Sequence, residues 1–493
     1  MQKMYLFSED GFGFVDPEEA VLISPGSVIP SDIQESTVII DWDSRQLFRN
    51  SYHVLRDASK ILFKFGDTLV DMSDDEKIEN EKIRAFAKQN YTRCKTINRA
   101  LIEYSVIKRL ENTNCMPAEL QLETTDICNA KCIMCSHFYR QGSHTITKSK
   151  DIVGALRGVL PFLETIYLHG NGEPFLDEGI DEFAVQIHSY GIRCMANTNL
   201  SVLTDDNIRT IGNCFSEINI SIDGADAKTY ESIRRGLSFD VLVKNCKRLR
   251  KSCSNLYIRM WAVMMSQNID YLSELVKFAA ELEFDEIVFT ELSSDERLKN
   301  KEDMASCYPH TVSMELNKAR ETAEQYGIKL IVPEYAVSFN PEAYKEECKR
   351  KDYQSRIRNE DYYKKLFNEI HNSTADCIKR ITKIGEQKIP CLHDVSVSGI
   401  CDWAVERPFI DLDGNVSVCC INQHFILGNL FEHPFEEIWQ GRSAANFRRC
   451  FYKGQLPYFC SGCEFLMQNR LLLLEKPDNS VCLRSKMHFG DMI

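Results

Sequence analysis

Residues 118–135 read AELQLETTDICNAKCIMC, a short strand-like run that leads directly into a loop with three cysteines. Cys128, Cys132 and Cys135 are spaced by four and then three residues. A closed structural metal site with thiolate ligands usually has four of them, so this loop supplies one ligand too few. The fourth position of the predicted site is therefore open.

The strand-like pattern recurs along the chain in alternation with helical patterns. The strand-like runs are AELQLETT, ETIYLHG, GIRCMANT, SEINISID, NLYIRMWAVMM, FDEIVFTEL and IKLIVPE. The helical patterns, with apolar residues three and four positions apart, include DEFAVQIHSY, TYESIRRGLSFDVLVKNCKRLR and IDYLSELVKFAAEL. Such alternation is typical of βαβ units with a parallel sheet. We expect an α/β fold, a partial (β/α)6 TIM-like barrel with its chemical groups just after the strands.

Four regions follow from this pattern. Residues 1–115 are predicted to form an α+β N-terminal region of unknown role, and residues 116–335 the core barrel. Residues 336–398 are predicted to be a charged helical connection, and residues 399–493 a small cysteine-rich C-terminal domain. A chain of 493 residues is too long for one compact core, which agrees with this division.

Composition limits the partners and the compartment. The net charge of −13 argues against nucleic acid as the main partner, because phosphate binding requires a basic surface. No apolar run approaches the ~18 residues of a membrane span, and the N-terminus lacks the layout of a signal peptide. We therefore expect a cytoplasmic protein with no membrane partner. The chain has 20 cysteines. In a reducing compartment, those that cluster are candidates for metal binding or redox chemistry. Those that are scattered are expected to be buried as small hydrophobic residues.

Three thiols on one short loop suit an iron–sulfur cluster that keeps one iron without a protein ligand, because thiolates are the usual ligands of such clusters. Zinc is the alternative, with His137 as a fourth ligand. Closed zinc sites, however, usually pair ligands from separate chain segments. The pattern therefore favours iron and sulfur.

CNAKCIMC resembles the CxxxCxxC signature of the radical S-adenosylmethionine (SAM) superfamily, and the aromatic residues Phe138 and Tyr139 lie shortly beyond it. The resemblance covers roughly residues 118–335. It implies a [4Fe–4S] cluster whose open iron binds SAM, and an electron that splits SAM into methionine and a 5′-deoxyadenosyl radical. It also implies a reductant partner such as flavodoxin or ferredoxin.

Further elements follow the other strands in family order, and the resemblance implies that they contact SAM. GNGEP resembles the family's GGEP element, with Asn171 in place of one glycine, and TNL resembles TNG, with Leu200 in place of the glycine. Glu173 is implied to bind the methionine ammonium, Ser221 and Asp223 the ribose, and Arg235, in preference to Arg234, the carboxylate. The full implied set is Gly170, Asn171, Gly172, Glu173, Pro174, Thr198, Ser221, Asp223, Arg235 and Asn268. The structural alternative for GNGEP is a Gly-Pro turn. For Ser221, Asp223 and Asn268 it is N-capping of the following helix.

The C-terminal cysteines form a second pattern. Cys401 is followed by twelve residues, Gly414, four residues and Cys419, and CSGC then adds Cys460 and Cys463. This arrangement resembles the SPASM/Twitch extension of radical SAM enzymes, with a hairpin that turns at Asp413 and Gly414. It implies one auxiliary [4Fe–4S] cluster on those four cysteines, with these as substitutes: Cys391, Cys420, Cys450 and Cys482. A zinc ribbon is the alternative for such a cysteine set.

The sequence thus predicts a radical SAM enzyme that abstracts hydrogen from its substrate. Resemblance to SPASM enzymes implies that this substrate is a ribosomal peptide or protein. The first alternative is a radical SAM dehydrogenase that acts on a small carbohydrate or aminocyclitol. The second is a non-enzymatic electron-transfer or metal-sensing protein, which would leave the elements at the strand ends unexplained.

Overall fold

The structure is a computed structural model. It describes residues 4–8, 20–24, 36–41, 58–65, 68–71, 88–135, 149–292, 303–333, 340–357, 405–420 and 425–452, with a few single positions before residue 88.

The N-terminal region contains a five-stranded sheet. Its strands are β1 Met4–Phe7, β2 Ala20–Ile23, β3 Thr37–Asp41, β4 Lys60–Phe65 and β5 Thr68–Asp71, in the order β2-β1-β3-β4-β5. The first four are parallel, and β5 runs antiparallel to β4. All five residues of β3 are buried, as expected for a central strand of a parallel sheet.

Helix α1, Tyr91–Lys108, connects this sheet to the core of the chain. The Lys108 ammonium donates to the carbonyls of Arg56 and Ala58 at 2.9 and 2.7 Å. The Asn98 amide makes two hydrogen bonds, of 2.9 and 2.8 Å, to the backbone of Met116, just before the first core strand. Helix α1 therefore contacts both the N-terminal sheet and the start of the barrel.

The core is a parallel sheet whose strands lie in chain order. These strands are β6 Glu119–Leu122, β8 Thr165–Leu168, β9 Arg193–Thr198, β10 Phe215–Ser221, β12 Tyr257–Met264, β13 Glu286–Glu291 and β14 Lys329–Ile331. Two short strands, β7 Lys131–Cys132 and β11 Arg234–Arg235, pair only with each other in the described chain. All seven predicted runs thus form parallel strands, which confirms the predicted α/β fold.

Helices alternate with these strands. They are α2 Ser149–Ala155, α3 Ile180–His188, α4 Asp205–Cys214, α5 Ala227–Ile233, α6 Phe239–Ser252, α7 Leu272–Glu281, α8 Pro309–Tyr326 and α9 Pro341–Ile357. Parallel neighbours are joined by right-handed crossovers, so strands in chain order place their helices on one face. The residues of that face, such as Ile218, Met260 and Phe289, are fully buried in the apolar core.

One predicted helix is wrong. The pattern TYESIRRGLSFDVLVKNCKRLR predicts a continuous helix, but the segment forms α5, then β11, then α6. Gly236 has a φ of 85°, a left-handed conformation that glycine adopts at little cost. The backbone of Arg234 and Arg235 pairs with β7 instead of continuing the helix. Pairing with a distant loop therefore overrides the local helical period.

The face of the core sheet without helices is polar. Asn197, Asn219 and Arg259 occupy registered positions on neighbouring strands, and Asn219 donates to Asn197 at 2.8 Å. Arg259 forms buried ion pairs with Glu217 and Glu286. Towards the C-terminal strand ends the same face becomes half-exposed, at Asn197, Ser221, Trp261 and Thr290. A polar recess therefore opens on the side where the strands end.

The C-terminal region extends the core sheet. It comprises β15 Phe409–Ile410, β16 Asn415–Ser417, β17 Ile426–Asn429, α10 Phe435–Gln440 and α11 Arg442–Tyr452. β15 runs parallel to β6, and β16 and β17 continue as antiparallel neighbours. The predicted hairpin turns before Gly414, whose φ is 78°. In the described chain β6 thus pairs with β8 and β15, so the barrel is open.

None of the described helices combines the length and the apolar character that crossing a bilayer requires.

We predict that Arg99 of α1 stabilises the contact of the N-terminal region with the core and with the C-terminal region. Its guanidinium makes two bonds to Glu164, of 3.1 and 2.9 Å, and a buried ion pair with Glu406. Arg99→Met should destabilise the protein by about 3 to 5 kcal/mol, because it leaves the Glu406 carboxylate buried without a counter-charge. Thermal unfolding midpoints measure this. Glu406→Gln should restore part of the loss, whereas Arg209→Met, in an exposed ion pair, should cost less than about 1 kcal/mol.

Candidate active site

The cysteine loop begins directly after β6, as the sequence predicts. Glu123, Thr124, Thr125 and Asp126 are all buried and fix the start of the loop against the core. Cys132 is buried, while Cys128 and Cys135 are half-buried. The three thiols therefore lie at the C-terminal edge of the sheet, where an α/β barrel places its chemistry.

The three thiols suit an iron–sulfur cluster. Burial raises the pKa of Cys128 to about 11 and that of Cys132 to about 12, so a metal has to displace their protons for them to act as thiolate ligands. Among the described residues no three His, Cys, Asp or Glu side chains converge on a single metal ion. A [4Fe–4S] cluster does not require such convergence, because its cysteines bind different iron atoms. Soft thiolate donors favour this cluster over a hard cation.

A buried hydroxyl beside the loop supports this fit. The Tyr230 side chain is fully buried, and its Oη has no hydrogen-bond partner in the described chain. Cys132 and Arg234 are close enough to Tyr230 to act on its pKa, which burial raises well above its usual range. A polar group without a partner at this position is compatible with a further group bound to the loop.

The GNGEP loop packs backbone to backbone on the cysteine loop. A Cβ atom on Gly172 would lie 2.1 Å from the Thr125 carbonyl oxygen, and one on Gly170 would lie 2.5 Å from Glu123 Cγ. The Glu173 N–H donates to the Ile127 carbonyl at 2.8 Å. Glycine is therefore required at both positions for this close approach.

Asn171, which replaces a family glycine, holds the same loop. Its backbone N–H and its side-chain amide both donate to Glu123 Oε1, at 2.8 and 2.9 Å. Glu123 is fully buried at the end of β6. The departure from the family pattern therefore adds a bond between the two loops.

Glu173 is buried and bonded to the end of β9. Its carboxylate accepts hydrogen bonds from the Thr198 hydroxyl, from the Asn199 N–H at 2.7 Å and from the Phe175 N–H at 3.4 Å. Burial raises the pKa of Glu173 to about 7, and these donors oppose the rise. The described structure thus gives both Glu173 and Thr198 partners within the protein.

Leu200 keeps the turn that a glycine would make. Its φ is 53°, in the left-handed region, at a cost of about 1 to 2 kcal/mol for a residue with a Cβ atom. The side chain is fully buried, and the Leu200 carbonyl accepts from the Asn245 amide at 2.8 Å. Burial of the leucine offsets the backbone cost, so the TNL segment retains the glycine-type conformation.

Asp223 and Asn268 both form hydrogen bonds with the backbone of Val263, and Asn268 also bonds to the Asp223 backbone. Asp223 Oδ1 accepts from the Val263 N–H at 2.8 Å, and Oδ2 lies 2.7 Å from Arg234 Nε. The Asn268 amide donates to the Asp223 and Val263 carbonyls at 3.0 and 2.8 Å. Neither side chain caps a helix, because Asp226 caps α5 and Asn268 makes no capping bond. Ser221 ends β10 and is half-buried on the polar face.

The two neighbouring arginines differ in their positions. Arg234 is buried, with Nη1 3.9 Å from Cys132 Sγ. Arg235 is more exposed, and its Nε donates to the Ser232 carbonyl at 3.3 Å. The implied role of Arg235 at the SAM carboxylate stays a prediction, while Arg234, the second choice from sequence, contacts the cysteine loop.

The structure also brings in residues that the sequence does not single out. Asn129 of the cysteine loop donates to Ser201 at 2.7 Å and accepts from Asn199 at 3.1 Å. His169 lies beyond β8 beside Tyr167 on the polar face, and its Nδ1 is buried without a partner in the described chain. Burial lowers the pKa of His169 to about 3. The only sequence signal for these residues is their place within or beside a motif.

The predicted auxiliary site is described in part. Cys419 and Cys420 follow β16, and Cys450 lies in α11; Cys419 and Cys450 are half-buried. Burial raises the pKa of Cys420 to about 12, and the nearby Gln121 side chain opposes the rise. The other predicted ligands and substitutes lie outside the described residues, namely Cys391, Cys401, Cys460, Cys463 and Cys482, as do His137, Phe138 and Tyr139. The auxiliary ligand set stays a prediction.

We predict that Gly172→Ala separates the two loops. The new methyl group would collide with the backbone at Thr125, so one loop has to move. The variant should lose most of its iron after anaerobic reconstitution, measured as iron per chain. Gly154→Ala in α2, where a Cβ atom meets nothing within 4 Å, is the matched control and should retain iron. Equal iron content in both variants would contradict the packing described here.

Comparison with curated proteins finds distant relatives. Mycofactocin maturase MftC of Mycolicibacterium smegmatis is 26% identical over 180 residues, 36% of this chain and 45% of that protein. GTP 3′,8-cyclase of Marinobacter nauticus is 26% identical over 197 residues, 38% of this chain and 58% of that protein. The chain thus spans about half the length of these curated relatives.

Comparison with solved structures finds similar chains of low identity. Streptococcus suis SuiB is 15% identical with a TM-score of 0.49, over 82% of this chain and 86% of that one. The native anSMEcpe structure with bound AdoMet is 15% identical with a TM-score of 0.45, over 75% and 93%.

Two family models match the chain. The radical SAM superfamily model matches residues 122–279, and the SPASM model, described as an iron–sulfur cluster-binding domain, matches residues 401–464. The first domain implies a [4Fe–4S] cluster and SAM, and the second an auxiliary iron–sulfur cluster. The chain therefore contains a radical SAM domain followed by a SPASM domain, which confirms the resemblance carried by its cysteine spacing.

Proposed function

We propose that this protein reductively cleaves SAM and abstracts a hydrogen atom from a substrate held on the polar face of the sheet. The observation that carries the proposal is the cysteine loop, held between the GNGEP loop and β11 at the C-terminal edge of the parallel sheet. The cluster, when bound, supplies one electron that breaks a carbon–sulfur bond of SAM. That electron comes from a reductant such as flavodoxin or ferredoxin.

The implied SAM contacts divide by exposure. Asn171, Ser221 and Arg235 have partly exposed side chains at the strand ends, and we assign direct SAM contacts to them and to the backbone of Gly170 and Gly172. The remaining implied contacts are buried and bonded to protein, namely Glu173, Pro174, Thr198, Asp223 and Asn268. These buried residues fix the loops that form the SAM site, and Glu173 in its ionised form also supplies negative charge near the SAM ammonium.

The substrate site is assigned to the polar recess. His169 has a buried Nδ1 without a partner in the described chain, and Trp261 donates to Thr290 at 3.2 Å on the half-exposed part of the same face. Buried polar groups require partners, so the substrate should bring hydrogen-bonding groups to this recess. Such bonds would orient a polar substrate in the recess.

We propose a ribosomal peptide or protein as the substrate class. The SPASM domain and the similarity to a maturase support this choice. The GTP 3′,8-cyclase has the same 26% sequence identity to this chain as the maturase. Sequence identity in the core therefore does not show whether the substrate is a peptide or a small polar molecule. A small carbohydrate or aminocyclitol is therefore the alternative substrate class.

We further propose that Cys401, Cys419, Cys460 and Cys463 hold the auxiliary cluster. The described part of this region places Cys419 just after β16, in the sheet extension beside β6. A cluster with four cysteine ligands has no open iron for SAM. Its proposed role is to pass an electron to or from the substrate radical.

The proposed activity has a direct test. Anaerobically reconstituted protein with dithionite should convert SAM to methionine and 5′-deoxyadenosine, measured by mass spectrometry. Replacing Cys128, Cys132 and Cys135 by alanine should abolish this and lower iron from about eight to about four atoms per chain. Cys348→Ala in α9 is the control for cysteine number. A triple variant that still forms 5′-deoxyadenosine would refute the assignment.

The substrate class can be tested by deuterium transfer. Lysate from host cells grown in deuterated medium is split into a peptide and protein fraction and a small-molecule fraction. The fraction that contains the substrate should transfer deuterium to 5′-deoxyadenosine, which then gains one mass unit. We expect transfer from the peptide and protein fraction, lost after protease treatment. Protease-resistant transfer from the small-molecule fraction would instead support the alternative.

A further inference from the structure

The interruption between α5 and α6 brings Arg234 against the cysteine loop. Arg234 lies opposite Cys132 in the antiparallel pairing of β11 with β7, and the Ile133 N–H donates to the Ile233 carbonyl at 3.0 Å. Arg234 Nη1 lies 3.9 Å from Cys132 Sγ. Because Cys132 is the most buried of the three cysteines, a positive charge lies beside the thiol that water screens least.

Asp223 fixes this charge in place. Its Oδ2 lies 2.7 Å from Arg234 Nε, and its side chain is fully buried. Its Oδ1 is held by the Val263 N–H, and its carbonyl by the Asn268 amide. Asp223, which follows β10, is thus bound to the end of β12. The arginine cannot leave the cysteine loop without separating a buried ion pair.

A buried arginine next to a cluster ligand has a predictable electrostatic effect. Arginine stays protonated at every accessible pH, and charges interact more strongly in a low-dielectric interior than in water. Reduction adds one negative charge to a cluster. A nearby cation therefore stabilises the reduced state, and a nearby anion the oxidised state, since net charge and contacts to the sulfurs set cluster potentials.

We propose that Arg234 raises the reduction potential of the cluster on Cys128, Cys132 and Cys135, and that Asp223 positions it and partly offsets its charge. This inference rests on the proposed function only in that the three cysteines hold a cluster. In this inference Arg234 does not bind SAM. The family resemblance implies that Arg235 binds the SAM carboxylate instead. The step involved is uptake of one electron from an external one-electron donor, with no bond made or broken.

The test is EPR-monitored potentiometry of the full, anaerobically reconstituted chain without SAM. The signal of this cluster is identified by its absence from the variant that lacks the three cysteines. Arg234→Gln should lower the ratio of reduced to oxidised cluster at fixed potential about tenfold, which equals about 59 mV for one electron. Asp223→Asn should raise the same ratio. Opposite shifts are diagnostic, because a purely structural role would not give opposite signs to the two variants.

Arg209→Gln in α4 is the control, since it removes the same charge from an exposed side chain that the site does not use. It should leave the potential unchanged. If Arg234→Gln retains too little iron, the double variant Asp223→Asn with Arg234→Gln leaves no unpaired buried charge, and its ratio should still fall below that of wild type. Wild-type potentials in the Arg234 variants would overturn the inference, while 5′-deoxyadenosine formation would leave the proposed function intact. A wild-type protein that binds no iron would overturn both.

Discussion

The handedness of the strand connections is the constraint on which the rest of the molecule depends. Strands joined by right-handed crossovers and laid down in chain order place their helices on one face and their C-terminal ends along one edge. In the described chain this edge gathers the cysteine loop, the GNGEP loop and the ends of β9 and β10. The face without helices is then free to be polar, as Asn219 and Arg259 show.

Much of this arrangement can be read from the sequence, because the period of the apolar residues and the position of polar residues after each run are local signals. The seven strands, the loop of Cys128 and the turn at Gly414 were all accessible in this way. The break at Arg234 was not. Its local pattern is helical, and only the pairing with β7 reveals a strand, so a tertiary contact decides what the local period cannot. The partners of Glu173 were hidden for the same reason.

The SPASM region is joined to the barrel by backbone and by charge. β15 adds to the sheet next to β6, and Arg407 at its start bonds to Glu119 and to the Tyr167 hydroxyl, with its guanidinium carbon 4.0 Å from the Tyr167 ring centre. An arginine over an aromatic ring adds cation–π attraction to the ion pair. Because Tyr167 also contacts His169, the position of the C-terminal region is coupled directly to the proposed substrate recess.

The buried charges of the site explain why motif residues contact one another. A buried ion pair adds little stability by itself, because desolvation cancels most of the attraction. Arg259 is held by two glutamates deep in the sheet, so its field is largely balanced there. Arg234 forms an ion pair with Asp223, and its Nη1 lies 3.9 Å from the sulfur of Cys132, while Tyr230 and Glu173 are close enough to interact with its charge. The elements that resemble separate SAM contacts are therefore also one electrostatic unit, in which Asn268 and Val263 orient Asp223, Asp223 orients Arg234, and Arg234 acts on the cysteine loop.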